Sequence, residues 1–299
     1  MSQIRGRLCV FPEGSTSFLR SDVLRTDVLR PGVLRADILR MVLLCSFRTG
    51  LARSAYLAAG GIYYAMAAII RNQAVSVITA LAADVMAPVK VYGMNMSTCT
   101  KRVLTTLEEK AVTDYEVVTV DLRKGEHKSE EFKKKQPFGL IPYFDDGEVQ
   151  IFESRAIARY IAEKNSGQGT DLLGSTLKER ALVNQWLEVE AQNYNPPLSA
   201  LISEKVFKPM FGGGEPDLAK AEELKAKLSK VLDVYEAHLA SNEYLAGPNF
   251  SLADLSHLPY TALLWVSGDS NLITSRPNVN AWWERISSRP AWKKVSALQ

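Results

Sequence analysis

At 299 residues, with 46% hydrophobic and 23% charged side chains, the chain has the make-up of an ordinary globular protein with room for two modest domains and a sizeable core. Its net charge of +3 gives no sign of a nucleic-acid partner. Three histidines, none in HExxH spacing, and a single cysteine after residue 86 exclude a zinc helix, a thiol-rich metal site and an intramolecular disulfide from the body of the chain, so no metal is expected and a reducing compartment fits.

The charge is unevenly divided. Residues 1–86 carry ten Arg, five acids and no Lys, whereas 87–299 carry eighteen Lys and eight Arg against twenty-eight acids, an excess of +5 before the join and −2 after it. Within the first part, Ser21 to Arg40 repeats a five-residue unit four times (SDVLR, TDVLR, PGVLR, ADILR), a period that fits neither a strand nor one helical face and predicts no packed element. The apolar run from Ala55 to Ile70 has sixteen residues, short of the roughly 20 that span a bilayer. Three readings of 1–86 stand: a disordered appendage absent from the working protein, a cleaved Arg-rich organellar leader, or a membrane anchor. The first is preferred, with Met86 as an alternative start, and membrane association is not expected.

From Val89 the pattern becomes regular. Val89 to Tyr92 reads as a strand, Ser97 to Lys110 as a helix with Val103, Leu104 and Leu107 on one stripe, and Tyr115 to Val120 as a second, parallel strand. Glu130 to Lys135 is a short charged helix, Tyr143 to Asp145 and Val149 to Phe152 form a hairpin, and Glu153 to Glu163 is a helix with Ala156, Ile157, Tyr160 and Ile161 on its apolar face. This order, βαβ then ββα, is thioredoxin-like. After the linker composition of Ser166 to Thr170 everything is helical: Leu177 to Leu201, Leu218 to Leu239 beyond the glycines 212–214, Leu252 to Trp265 behind the capping box Ser251-Leu-Ala-Asp254, and two proline-opened helices from Pro277 and Pro290. The predicted architecture is α/β plus all-α: a thioredoxin-like domain over 87–165 and a helical bundle over 176–299.

Two short motifs carry the chemistry. Pro137-Phe-Gly-Leu-Ile-Pro142 places an Ile-Pro bond, able to be cis, at the entry to a strand, leaving the Ile141 backbone free to pair with an extended peptide-like ligand. About ten residues on, Phe152-Glu-Ser-Arg155 opens a helix whose unpaired N–H groups suit a carboxylate while Glu153 suits an ammonium. Together they describe a site for a small zwitterion with an α-amino acid end.

With Val89–Gly93, Ser97, Gly125-Glu-His-Lys128, PFGLIP, FESRAI, Tyr244-Leu-Ala-Gly247, SLAD and Ala281-Trp-Trp283 in this order, residues from about 87 to 299 closely resemble a plant phi-class glutathione transferase. The resemblance implies the glutathione transferase fold, a cytoplasmic homodimer (chloroplast if 1–86 act as a transit peptide), glutathione as co-substrate with no permanently bound cofactor, and small hydrophobic electrophiles as second substrates. It assigns Ser97 as the catalytic serine that favours the glutathione thiolate, and Ser97, His127, Lys128, Leu140, Ile141, Glu153 and Ser154 as glutathione-binding. His127 and Lys128 take the glycine carboxylate, the Ile141 backbone the cysteinyl unit, and Glu153 with Ser154 the γ-glutamyl end. Met96, Thr98, Phe207, Met210 and Phe211 are candidates for the electrophile pocket. Arg155 is expected to support Glu153.

The sequence departs from the family at Leu140, commonly a glutamine, which is expected to weaken glutathione binding. That departure keeps open a carrier of flavonoids or hormones on the same fold. A thiol transferase working through Cys99 is a weaker alternative, a buried structural thiol being the preferred reading of that residue.

Overall fold

The computed structural model describes residues 89–298. The five-residue repeat, the apolar run and the alternative start lie outside the described residues.

Strand β1 (Val89–Gly93) runs in the middle of a four-stranded sheet of order β2-β1-β3-β4. It turns into α1 (Thr98–Glu109), which returns to β2 (Tyr115–Thr119), paired parallel with β1 from Val89↔Tyr115 to Gly93↔Thr119. A single helical turn at Glu126–Lys128 and α2 (Glu130–Lys135) lead to β3 (Tyr143–Asp145) and β4 (Gln150–Phe152), both antiparallel to their neighbours. The hairpin between them is closed by the Asp146 carboxylate, which accepts the N–H groups of Glu148 and Val149. Helix α3 (Ser154–Lys164) follows directly.

This topology fixes one edge of the sheet as special. β1 and β4 run the same way and β3 runs against them, so the start of α1, the start of α3 and the loop entering β3 all lie at one edge. The segment after β2 leaves from that edge too. The predicted stripe Val103, Leu104, Leu107 on α1 and Ile157, Ile161 on α3 close over Val91 and Phe144, and Val295 from the last helix completes this core.

The C-terminal helices begin with α4 (Leu177–Val189), held by a capping box of Thr176 and Glu179. The single helix expected over Leu177–Leu201 is instead interrupted: a wide turn at Glu190–Tyr194 precedes α5 (Asn195–Ile202), and a second at Ser203–Phe207 precedes α6 (Lys208–Met210). Both wide turns stand just before prolines, Pro196 with Pro197 and Pro209. A proline has no N–H for the carbonyl four residues back and its ring crowds that carbonyl, so the ladder widens to i→i+5, as in the bonds from Asn195 N to Glu190 O and from Lys208 N to Ser203 O. Next come α7 (Leu218–Leu239), α8 (Leu252–Thr261), α9 (Leu263–Val266), α10 (Asn271–Thr274), α11 (Pro277–Ser287) and α12 (Pro290–Ser296). At four residues α10 is too short to show periodicity in the sequence. Among the described residues no helix is long and apolar enough to cross a membrane.

Two buried polar residues hold the bundle together. The Asp254 carboxylate accepts hydrogen bonds from Leu245 N, Ser251 N, Ser251 Oγ and Trp282 Nε1, all between 2.9 and 3.0 Å, joining the loop before α8 to α11. One turn on, His257 is fully buried between the rings of Tyr194, Tyr235 and Trp282. Its Nδ1 lies 2.7 Å from the Ala253 carbonyl, an acceptor only, so Nδ1 carries the hydrogen and Nε2 accepts the Tyr235 hydroxyl at 3.0 Å.

Burial pushes the His257 pKa down to about 4. In the unfolded chain a histidine titrates near 6.5. Between those values the unfolded state binds more protons, so the stability that neutral His257 confers is fully present above pH 6.5 and is lost as the pH falls towards 4. Urea unfolding of wild type and His257→Asn at pH 7 and pH 5 should show the wild type losing about 2 kcal/mol more than the variant across that interval. Equal losses in the two proteins would show that His257 titrates in the fold as it does in the unfolded chain.

Candidate active site

The loop from β1 to α1 is closely wound. Ser97 N donates to the Met94 carbonyl at 2.9 Å, and Met94 N reaches Thr100 Oγ1 at 3.4 Å. At Gly93 a Cβ would sit 2.5 Å from Thr100 Oγ1, so only glycine lets the helix approach the strand this closely. Ser97 is the N-cap of α1, half-buried and extended in backbone, and its Oγ accepts Thr100 N at 3.3 Å. The hydroxyl hydrogen is thereby left for a ligand at the positive end of the helix.

Beside it, the Ile141–Pro142 peptide is cis. Ile141 packs on Val120, Phe132 and Tyr143, and the sheet pairing with β1 begins only at Tyr143. Leu140 turns its side chain outward, 52% exposed, while its N–H is held by the buried Gln136 side chain at 3.1 Å. His127 is half-buried with Nδ1 shielded from solvent and unpaired, and burial together with the Lys128 charge lowers its pKa, so it is neutral at pH 7. Lys128 Nζ donates to the Phe138 carbonyl at 3.2 Å, and the room for this contact comes from Gly139, at φ +59°, where a Cβ would meet the His127 carbonyl at 2.7 Å.

At the start of α3, Glu153 adopts φ +71° with an exposed side chain. For a non-glycine residue that conformation costs about 1–3 kcal/mol, and it aims the first N–H groups of α3 at the same edge. Ser154 is buried, and its Oγ accepts Arg102 Nη1 at 2.8 Å. The structure thus gathers Ser97, His127, Lys128, Leu140, Ile141, Glu153 and Ser154 at the one edge of the sheet that the topology singles out.

Three expectations are corrected. Arg155 does not support Glu153: its guanidinium makes a two-pronged pair with Glu190, Nε to Oε2 at 2.6 Å and Nη2 to Oε1 at 2.8 Å. Cys99 is half-buried rather than buried, and its sulfur faces Arg102 Nη1 at 3.8 Å. Thr98 is buried with its hydroxyl on the Tyr260 phenol, so it faces α8 rather than an open pocket. Of the other pocket candidates, Met96 is exposed beside Ser97, Phe207 packs on the helical core 6.4 Å from the Phe211 ring, and Met210 and Phe211 are exposed.

Beneath the site lies a buried charge cluster that no motif marks. Arg102, 0% exposed, donates to the Ser256 carbonyl from Nε at 3.3 Å and from Nη2 at 3.1 Å, and lies 3.7 Å from Glu190. Burial would raise the Glu190 pKa, but Arg102 and Arg155 outweigh it and hold the carboxyl below its usual range, so it is ionised. One sequence signal was available: Thr98, Arg102, Thr105, Thr106 and Glu109 fall on a single stripe of α1, and all five are buried against the C-terminal helices.

Comparison with known proteins agrees with this geometry. The glutathione S-transferase N-terminal domain pattern matches residues 87–163 and the glutathione S-transferase C-terminal domain pattern matches 198–290. The chain belongs to the glutathione S-transferase family. It is 55% identical to glutathione S-transferase F10 of Arabidopsis thaliana over 200 residues, 66% of this chain and 91% of the relative. Among solved structures it is similar to glutathione transferase F7 from Populus trichocarpa (50% identity, TM-score 0.68, 70% of this chain and 97% of that one). It is similar also to glutathione S-transferase I from maize in complex with an atrazine glutathione conjugate (42% identity, TM-score 0.66, 71% and 97%). The transferase likeness spans the described part of the chain, with plant phi-class proteins as its relatives.

Proposed function

We propose that this glutathione transferase activates glutathione through Ser97 and conjugates it to small hydrophobic electrophiles. The observation that carries the reading is the Ser97 hydroxyl, whose oxygen accepts Thr100 N at a helix N-terminus and whose hydrogen is left to donate. A thiol with a pKa of about 8.5 is roughly 3% ionised at pH 7, and lowering it to about 6.5 requires about 2.7 kcal/mol of preference for the thiolate. One charge-assisted hydrogen bond and a helix terminus supply that. The thiol proton leaves to solvent, the thiolate forms a bond to the electrophilic carbon, and the leaving group departs with its electron pair. His127 and Lys128 take the glycine carboxylate, the Ile141 backbone pairs with the cysteinyl unit, and Glu153 and Ser154 hold the γ-glutamyl end. Met96 borders the electrophile side. A cytoplasmic setting, where glutathione is kept reduced, fits this chemistry. The carrier alternative is not favoured, since the relatives are transferases and Leu140 keeps its backbone in place through Gln136.

The same reading includes a homodimer. Phe138 is 67% exposed at the tip of the loop that carries the site, steadied edge-on by Phe152. A groove of about 370 Å³ on the C-terminal helices is lined by Pro196, Pro197, Leu224 and Val231 together with Gln192, Asn193 and Lys227, and its apolar part offers a socket. A twofold arrangement would fill each socket with the other copy's Phe138.

With glutathione and a chlorinated dinitroaromatic, Ser97→Ala should lower kcat/KM about 10- to 100-fold and raise the pKa of bound glutathione by about one to two units, read from thiolate absorbance. Unchanged turnover would remove Ser97 from its role. Phe138→Asp should raise the dimer dissociation constant about 100-fold or more in analytical ultracentrifugation, and an unaltered association would place the interface elsewhere.

A further inference from the structure

The side of Ser154 that does not face the ligand is set by a residue on a different helix. Arg102 carries five N–H donors and no acceptor, so in its 2.8 Å contact with Ser154 Oγ the serine can only accept. Ser154 is buried, and no described protein group takes its hydroxyl hydrogen. With one lone pair committed to the guanidinium, that hydrogen is turned away from Arg102. The N–H groups of Ser154, Arg155 and Ala156 beside it have no intrahelical partner either, the first backbone bond of the helix being Ile157 N to Glu153 O.

The charges beneath reinforce this. Two guanidinium groups, Arg102 and Arg155, share one carboxylate, Glu190, leaving a net positive charge under the first turn of α3. The neighbouring His257 is neutral and adds nothing. Arg102 cannot rotate away: the Ser256 carbonyl holds its Nε and Nη2 while Nη1 meets Ser154.

We propose that Arg102 is a positioning residue that occupies one side of the Ser154 oxygen and so turns its hydroxyl hydrogen towards the ligand, favouring at this end of the site a ligand that bears a carboxylate. The proposal rests on the reading that the γ-glutamyl end of glutathione binds at Glu153 and Ser154. Arg102 acts through Ser154 and touches no substrate atom. It also sits on the helix that Ser97 caps, so one side chain sets the polarity of the recognition site from within the element that carries the chemistry.

The test uses the full chain and two thiols, glutathione and 4-aminobutyryl-cysteinyl-glycine, which keeps the amine but lacks the α-carboxylate, each with the chlorinated dinitroaromatic. Wild type should prefer glutathione in KM. In Arg102→Met, KM for glutathione should rise about tenfold, with kcat and the KM for the analogue each within about twofold. Ser154→Ala should give the same pattern, and the double variant should add no more than about a further twofold, because the two residues act in series. Equal rises for both thiols, a fall in kcat alone, or multiplying effects in the double variant would reduce Arg102 to a structural prop and overturn the proposal. If Arg102→Met does not fold, Arg102→Gln, whose amide can accept as well as donate, decides by the same ratio: a glutathione preference shifted towards that of Ser154→Ala supports the proposal, and an unshifted one overturns it. A wild type that uses both thiols equally well would sink the Arg102 proposal and leave the transferase reading standing. A wild type with no glutathione turnover would sink both.

Discussion

A single buried carboxylate organises the active half of this molecule. Glu190 pairs with Arg155 from α3 and lies within 3.7 Å of Arg102 from α1, and Arg102 in turn grips the Ser256 carbonyl of α8. Burying such charges gains little net stability against an apolar replacement, but removing one partner strands the other and costs about 3–5 kcal/mol. Its effect is therefore directional. The cluster admits one relative placement of α1, α3 and α8, and the helices on which Ser97 and Ser154 stand are two of these. Glu190 itself opens the wide turn that the prolines at 196 and 197 impose, so a backbone defect in the C-terminal helices fixes the polarity of the N-terminal site.

The sequence made the strands, their succession along the chain and most helices legible because each element obeys a local rule: a strand alternation at β1, the stripe Val103, Leu104, Leu107 in α1, the Ser251 to Asp254 box before α8. The motifs at 137–142 and 152–155 were legible for the same reason, since backbone geometry and a helix start are written in consecutive residues. What stayed hidden is relational. Arg155 reads as a neighbour of Glu153 in the chain, yet a side chain six bonds long finds its partner thirty-five residues away at Glu190. No motif singles out Arg102, beside Lys101 in the chain, and only the packing of α1 against α8 shows that it is fully buried. The interruption after Val189 was written in Pro196 and Pro197, but periodicity alone runs straight through it.

The two serines of the site follow one design. Each has its oxygen engaged by a protein N–H donor, Thr100 N at Ser97 and Arg102 Nη1 at Ser154, and each stands at the start of a helix. A serine left to itself offers a donor and acceptors indifferently. With one lone pair taken by an N–H donor, its hydrogen is turned away from that donor, and on the reading proposed above the two hydroxyls would meet a thiolate at one site and a carboxylate at the other. The common edge of the sheet brings the two within reach of one ligand.

The same distinction bears on Leu140, inside the most diagnostic motif of the chain. Its side chain points outward, and its N–H is tied to the buried Gln136, so the loop shape that presents Ile141 depends on residue 136 and not on the identity of residue 140. Recognition of the cysteinyl unit through a backbone N–H and C=O is indifferent to side chains by construction. Glu153 works in the opposite sense, for there a backbone conformation that costs about 1–3 kcal/mol sets where the side chain and the first N–H groups of α3 stand. The loop shape at 139–142 is thus held by backbone geometry in which the side chain at 140 takes no part, while the hydroxyls of Ser97 and Ser154 are engaged by Thr100 N and Arg102, groups outside either motif.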